Sequence, residues 1–184
     1  MSEQKSELLI EKFPEINHIT DPDVKAKTIA AFLEAVSRGG WMLDDLDRIP
    51  FTLLIPNNPV SLLTHMRSVV QTALRIAEAL DGFYNKYFQI DRDMLLSGAI
   101  LHDVGKLMEY AETEKGFVKS HVGRIMRHPF SGAALAMKHG LPDEVQHIIA
   151  THAHEGDDAY RSPASVIVHH ADFINFEPLR DLLK

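Results

Sequence analysis

Cysteine is absent from the 184-residue chain, which excludes disulfides, thiolate metal ligands and thiol nucleophiles. That absence is also compatible with a reducing cytosol. Long apolar runs are missing as well. The polar start Met1-Ser2-Glu3-Gln4-Lys5 is followed only by the brief Leu8-Leu9-Ile10, so neither a signal peptide nor a membrane span is expected, and the expected location is cytoplasmic. Short repeats, low-complexity stretches and flexible linkers are lacking too. Basic charge is in deficit: 19 Lys and Arg stand against 26 Asp and Glu, for a formal net charge of -7. Such a balance argues against a surface that tracks the phosphates of a long nucleic acid. It leaves room for a small anionic substrate, because a local basic cluster or a bound dication reverses the potential inside one cleft.

What is present is a chain 45% apolar, enough to bury a substantial core. Its first part differs in pattern from the rest, which divides it into an N-terminal helical extension (1–59) packed on a main domain (60–184). Residues 3–12 can form a short helix that ends before Phe13-Pro14, since proline disfavours helix in the residue before it. Asp21-Pro22 reads as a helix start, with Asp21 as N-cap, and Gly39-Gly40 as its stop. The apolar run Pro50–Pro56 reads as extended chain, and Asn57-Asn58-Pro59 as a turn into the main domain.

Beyond it, Leu62, Met66, Val69, Val70, Ala73, Ile76, Ala77 and Leu80 recur at helical spacing. His65 falls at the margin of that stripe. A helix over Arg92–Tyr110 would set Leu95, Ala99, His102, Asp103 and Lys106 on one side. His128-Pro129 reads as a helix entry with the histidine just outside, and Gly140 as the stop. A further helix follows Leu141-Pro142 and ends around Thr151–Gly156. The last begins at Ser162-Pro163 with Ala164, Ile167, Val168, Ala171 and Ile174 as its buried stripe, Asp172 at the edge and Phe173 pointing away.

Taken singly, each histidine is explained by a hydrogen-bonded imidazole at the edge of a core. The ensemble says more. His65, the adjacent pair His102-Asp103, His128, His152 and Asp172 are spaced by about one helix and one loop each, and buried carboxylates are costly unless paired or metal-bound. One shared metal centre accounts for all of them. Histidine and carboxylate ligands suit Fe, Mn, Ni, Co or Zn, whereas magnesium prefers oxygen-rich sites.

In this order of motifs, with Leu101-His102-Asp103-Val104-Gly105-Lys106 at its heart, the chain resembles the HD-domain superfamily of metal-dependent phosphohydrolases over roughly Val60–Phe176. The resemblance implies an all-α helical bundle. It assigns His65, His102, Asp103 and Asp172, the last in His169-His170-Ala171-Asp172, to the mononuclear ligand set. His128 and His152 match the extra histidines of branches with two ions, in which Asp103 bridges. The implied activity is hydrolysis of a phosphomonoester or phosphodiester of a small phosphorylated molecule, a nucleotide for preference, by metal-activated water. Asp103 and Lys106 are then the catalytic candidates, and Lys106, Arg124, Arg127 and His154 the candidate substrate contacts. His152 and His154 are two residues apart, so a regular helix cannot aim both at one point; His152 is taken as the ligand. His121, His139, His147, His169 and His170 read as surface or supporting residues. Two alternatives remain open: a diiron oxygenase using the same six ligands, and a metal and nucleotide sensor without turnover in which the N-terminal segment supplies a partner or homodimer surface.

Overall fold

A computed structural model describes residues 3–183; Met1, Ser2 and Lys184 of the two expected regions lie outside it. Its helices are α1 (Glu3–Lys12), α2 (Pro22–Gly39), α3 (Leu62–Tyr84), α4 (Arg92–Leu101), α5 (Lys106–Glu109), α6 (His121–Ile125), α7 (His128–Lys138), α8 (Asp143–Thr151) and α9 (Pro163–Leu182). The fold is a helical bundle preceded by N-terminal helices. Local chemistry sets most boundaries. The Asp21 carboxylate accepts from the backbone N–H groups of Asp23 and Val24 at the start of α2, and Ser61, Asp91 and Ser162 cap α3, α4 and α9 in the same way. Gly40 and Gly140 follow α2 and α7 with φ of 75° and 67°, the left-handed conformation in which glycine ends a helix without a Cβ clash.

Within the bundle, α3 and α9 pack against each other and both touch α4, while α8 lies against α4, α7 and α9. Leu96, Ile100, Met66, Val70, Ile148 and Val168 fill the centre and are fully buried. The N-terminal helices share this core: Leu9, Phe13, Ile16 and Phe32 are also fully buried and belong to the same cluster. Asp93 at the start of α4 joins the parts, accepting from the backbone N–H groups of Thr20 (2.9 Å) and Asp21 (2.7 Å) and from the Thr20 hydroxyl (2.8 Å).

Several local expectations need correction. The single helix over Arg92–Tyr110 is broken: α4 ends at Leu101, residues 102–105 form turns, and α5 is one turn long. In the turn Val104 N donates to Leu101 O and Lys106 N to Asp103 O, the i to i+3 pattern of a tighter 3₁₀ winding. A two-stranded antiparallel hairpin, β1 (Tyr110–Thr113) and β2 (Gly116–Lys119), follows directly, paired Tyr110 to Lys119 and Thr113 to Gly116. The run Pro50–Pro56 is an irregular strap tied by one bridge between Pro50 and Ser61. His128 is the first residue of α7, with Arg127 as its cap. Ile174 is 59% exposed and lies on the outer side of α9, whose Phe176 and Leu179 still pack against the core. Phe173 is partly buried against His154 and His169 instead of pointing clear of the protein.

Candidate metal centre

Six side chains from five places in the bundle converge. His65 comes from the first turns of α3, His102 and Asp103 from the turn after α4, His128 from the first residue of α7, His152 from the C-cap of α8 and Asp172 from the middle of α9. They form two sets that share Asp103, His65-His102-Asp103-Asp172 and Asp103-His128-His152, and within each set one ligand atom per residue lies within 4.8 Å of the others. The two oxygens of Asp103 divide the work. Oδ2 lies 3.4 Å from the Nε2 atoms of both His65 and His102, and Oδ1 lies 3.2 Å from Nε2 of His128 and 3.7 Å from Nε2 of His152. Asp172 Oδ1 is 3.0 Å from His65 Nε2.

Buried polar atoms are nearly always paired, so the exceptions carry information. Nε2 of His65, His102 and His152 and Oδ1 of Asp103 are all buried without a hydrogen-bond partner, as is Nδ1 of His65. Three of the rings are oriented from behind. Nδ1 of His102 donates to the Ala99 carbonyl at 2.7 Å and that of His152 to the Ile149 carbonyl at 2.8 Å, each one turn back, which leaves Nε2 with a free lone pair. His128 is held by Glu109, whose Oε2 lies 3.0 Å from Nδ1 and accepts from the backbone N–H at 2.8 Å. His65 is fixed instead by stacking on Phe51, with centroids 4.4 Å apart and an interplanar angle of 22°. Imidazole nitrogens and carboxylate oxygens aimed at one another, several of them without a hydrogen-bond partner, are the environment of divalent transition-metal ions. The donor set fits two such ions, the arrangement of a dinuclear divalent site.

The electrostatics agree. Burial would raise the Asp103 carboxyl, but the Lys106 ammonium and the His102 ring hold it well below the usual carboxylate range. Burial would likewise lower the Lys106 ammonium, and Asp103 keeps it raised. For Asp172, burial is overcome by His65, which holds the carboxyl lowered. Burial pushes His128 down to about 4 against the opposing pull of Glu109, so the ring is neutral and able to ligate at physiological pH. Glu109 is itself held down to about 2, burial being outweighed by its bonds to His128.

Lys106 is buried. Its Nζ donates to Asp103 Oδ2 at 2.6 Å and to the Phe51 carbonyl at 2.8 Å, a pairing made possible because residues i and i+3 eclipse in the tight turn. It therefore braces the shared carboxylate while also lining a cavity of about 140 Å³ that opens over the centre. Among the walls of this cavity are His128, Asp172, Lys119, Arg127, His154 and the strap Phe51–Leu54. Arg127 reaches it although its Nε donates to Glu155 at 3.0 Å. His154 is exposed on a short 3₁₀ turn, its Nδ1 2.9 Å from Asp157. Arg124 sits exposed on α6 and is not part of the wall. A larger cavity of about 680 Å³, between Met108, Met126, Leu135 and Lys138, contains none of the six ligand residues, so the chemistry selects the smaller one.

Glu109 and Phe51 escaped the sequence reading. Glu109 lies on the same short segment as the His102-Asp103 pair, seven residues from His102, but nothing in the spacing links it to His128 nineteen residues on. Phe51 lies in the strap, whose path is decided by packing. His169 turned out to be a support: its Nδ1 donates to the His152 carbonyl at 2.6 Å.

A helical bundle with a His/Asp donor set fitted to two divalent ions under a small basic-edged cavity defines a metal-binding domain of the hydrolase type. The HD-domain family model matches residues 62–175, and the chain belongs to that family. It is 33% identical over 114 residues to a dihydroneopterin 2',3'-cyclic phosphate phosphodiesterase of Methanocaldococcus jannaschii. That likeness covers 60% of this chain and 44% of the relative, so the chain spans less than half the relative's length. No solved structure matches the chain.

Proposed function

We infer that this protein hydrolyses a phosphodiester bond of a small phosphorylated molecule that carries a heterocycle, a nucleotide or a close chemical relation of one. The observation that carries the reading is the convergence of unpartnered, buried Nε2 and Oδ1 atoms on a centre that opens into a cavity edged by Lys119 and Arg127. The cyclic phosphodiester named for the archaeal relative supports the diester over the monoester. His65, His102, Asp103 and Asp172 would hold one ion, and Asp103, His128 and His152 the second. Divalent ions in such a set supply a hydrolytic nucleophile by acidifying water and polarise a phosphoryl oxygen.

The chain's own residues prepare that chemistry. Asp103 spans the two ligand sets and is kept ionised by Lys106, so its oxygens stay turned to opposite sides. Glu109 keeps Nε2 of His128 free of a proton by taking the ring's hydrogen bond at Nδ1. Lys119 and Arg127 face the cavity with donors suited to the non-bridging oxygens of a phosphate and offset their charge. Cleavage of the diester adds the elements of water across one P–O bond and releases a phosphomonoester bearing the alcohol.

The test is a panel of 2',3'-cyclic AMP, bis(p-nitrophenyl) phosphate and p-nitrophenyl phosphate, run on protein verified to hold two ions per chain. Metal-dependent cleavage of the diesters in the absence of oxygen is expected, with chelation abolishing it. Two-ion protein that releases nothing from any of the three, or that turns over only with consumption of oxygen, rejects the reading and favours the sensor or the oxygenase respectively.

A further inference from the structure

The cavity above the metal centre is mainly apolar on the strap and α9, where Lys106 Nζ lies 5.9 Å from the Phe51 ring centroid and His154 stands edge-on to Phe173 at 5.1 Å. Leu53 and Leu54 of the strap join Phe173 and Phe176 of α9 in an apolar group, with Phe51 beneath, stacked on His65 and edge-on to Phe176 at 6.2 Å. The basic groups Lys119 and Arg127 lie elsewhere, from β2 and the N-cap of α7, where Lys119 is 3.5 Å from Glu109 and Glu109 holds His128. The first ligand set, with His65 and Asp172, thus borders the apolar group, and the second, with His128, borders the basic one. At about 140 Å³ the half-open cavity is well below the roughly 300 Å³ at which pockets for whole small-molecule ligands begin. It holds a phosphate and little more, so the rest of a substrate must cross the mouth. There Leu54 is 76% exposed, a large apolar side chain with water on it.

We propose that the strap residues Leu53 and Leu54, with Phe173 and Phe176, are the specificity-determining wall that receives the substrate's flat organic group. The phosphate oxygens are then directed toward Lys119 and Arg127. This assignment rests on the phosphodiesterase reading and deepens it. Phe51–Leu54 and Phe176 all fall outside residues 62–175, the part that matches the family model. The metal centre is therefore roofed in part by residues outside the span that the family model matches, and the N-terminal extension takes part in choosing the substrate. An exposed leucine at this lip gains from covering a ring face, because burying its side chain removes apolar surface from water.

The experiment compares two cyclic diesters that differ in the organic group, 2',3'-cyclic AMP and glycerol 1,2-cyclic phosphate, on the two-ion protein and on the Leu53→Ala/Leu54→Ala double variant. The ratio of kcat/KM for the adenosine diester to that for the glycerol diester should fall roughly tenfold in the variant, the loss appearing in KM, with two ions still bound per chain. Phe173→Leu, which keeps bulk but removes the ring, should move the ratio in the same direction. An unchanged ratio in both variants overturns the proposal. Should neither diester be cleaved, the hydrolase reading falls by itself. Calorimetric affinities for the two diesters then decide about the wall: a selective loss for the adenosine compound upholds it, and equal losses or none reject it.

Discussion

Asp103 and Glu109 show how single side chains divide the labour of the centre. Asp103 spans the two donor sets because its two oxygens face different histidines, and it is both buried and ionised because the Lys106 ammonium, 2.6 Å away, and the His102 ring offset the cost of burial. Glu109 belongs to neither donor set; it holds the His128 ring at Nδ1, which leaves Nε2 free to ligate. Both bonds from His128 end on one oxygen, Oε2, so Glu109→Gln keeps them only as weaker bonds to a neutral amide oxygen, with its N–H₂ turned against the Lys119 ammonium. The second ion should therefore bind about 10- to 100-fold more weakly, the range typical of lost outer supports of metal ligands. Titration of the metal-depleted variant should then resolve two unequal sites, with the one held by His65, His102, Asp103 and Asp172 unchanged. Two sites of wild-type affinity would show that His128 is oriented by its backbone alone.

At the level of elements, the break after α4 matters more than any helix. Had Arg92–Tyr110 continued as one α-helix, side chains at 103 and 106 would be offset around the axis, and the start of α7 could not approach. Gly105 has ordinary right-handed backbone angles, φ -62° and ψ -22°, so no turn geometry demands glycine there. The demand is spatial: a Cβ at this position would collide with the carbonyl oxygen of His128 and the hydroxyl of Ser131. Gly105→Ala should push α7 away from the His102-Asp103 turn and cost about 1–3 kcal/mol, the usual range for forcing atoms into a packed interior. Denaturant unfolding of the metal-free protein measures this, and a loss within 0.5 kcal/mol of zero would mean that α7 yields easily. The same close approach carries His128 to Glu109. Nothing in the local sequence around 105 announces it, because glycine inside a helical pattern is equally consistent with a weak helix.

On the scale of the whole molecule, acidic groups tie separate elements together, and their protonation should loosen the fold. Glu34 on α2 is bound by Lys138 and His139 at the end of α7, and the Lys138 hydrogen bond foremost holds its carboxyl down to about 2 from an ordinary 4.5. For Asp93, burial would raise the pKa, but the N–H groups of Thr20 and Asp21 more than offset this and leave it lowered. A depressed folded-state pKa means that the unfolded chain takes up protons first. These contributions are complete above about pH 4.5 and are lost as the pH falls through about 2. Stability of the metal-free protein should decline across that window, and less steeply in Glu34→Gln. Parallel pH profiles for the two would remove Glu34 from the account. Among the described residues no helix is long and apolar enough to cross a membrane.

Much of the fold and of the centre was legible in the chain. Caps such as Asp21, Asp91 and Ser162 act within three residues, so they can be read locally, and the apolar stripe of α3 reports the same period that buries Met66, Val69 and Val70. The six ligand candidates stood out because histidine and carboxylate are expensive to bury and recur here once per element. What the linear order could not contain was any contact across elements. The Glu109 brace on His128, the reach of Lys106 to the Phe51 carbonyl and the strap that carries Phe51 over His65 all depend on close packing among distant segments. Residue type and spacing determined which atoms can bind a metal; only the tertiary structure decided which of them meet, because that depends on van der Waals fit among helices far apart in the chain.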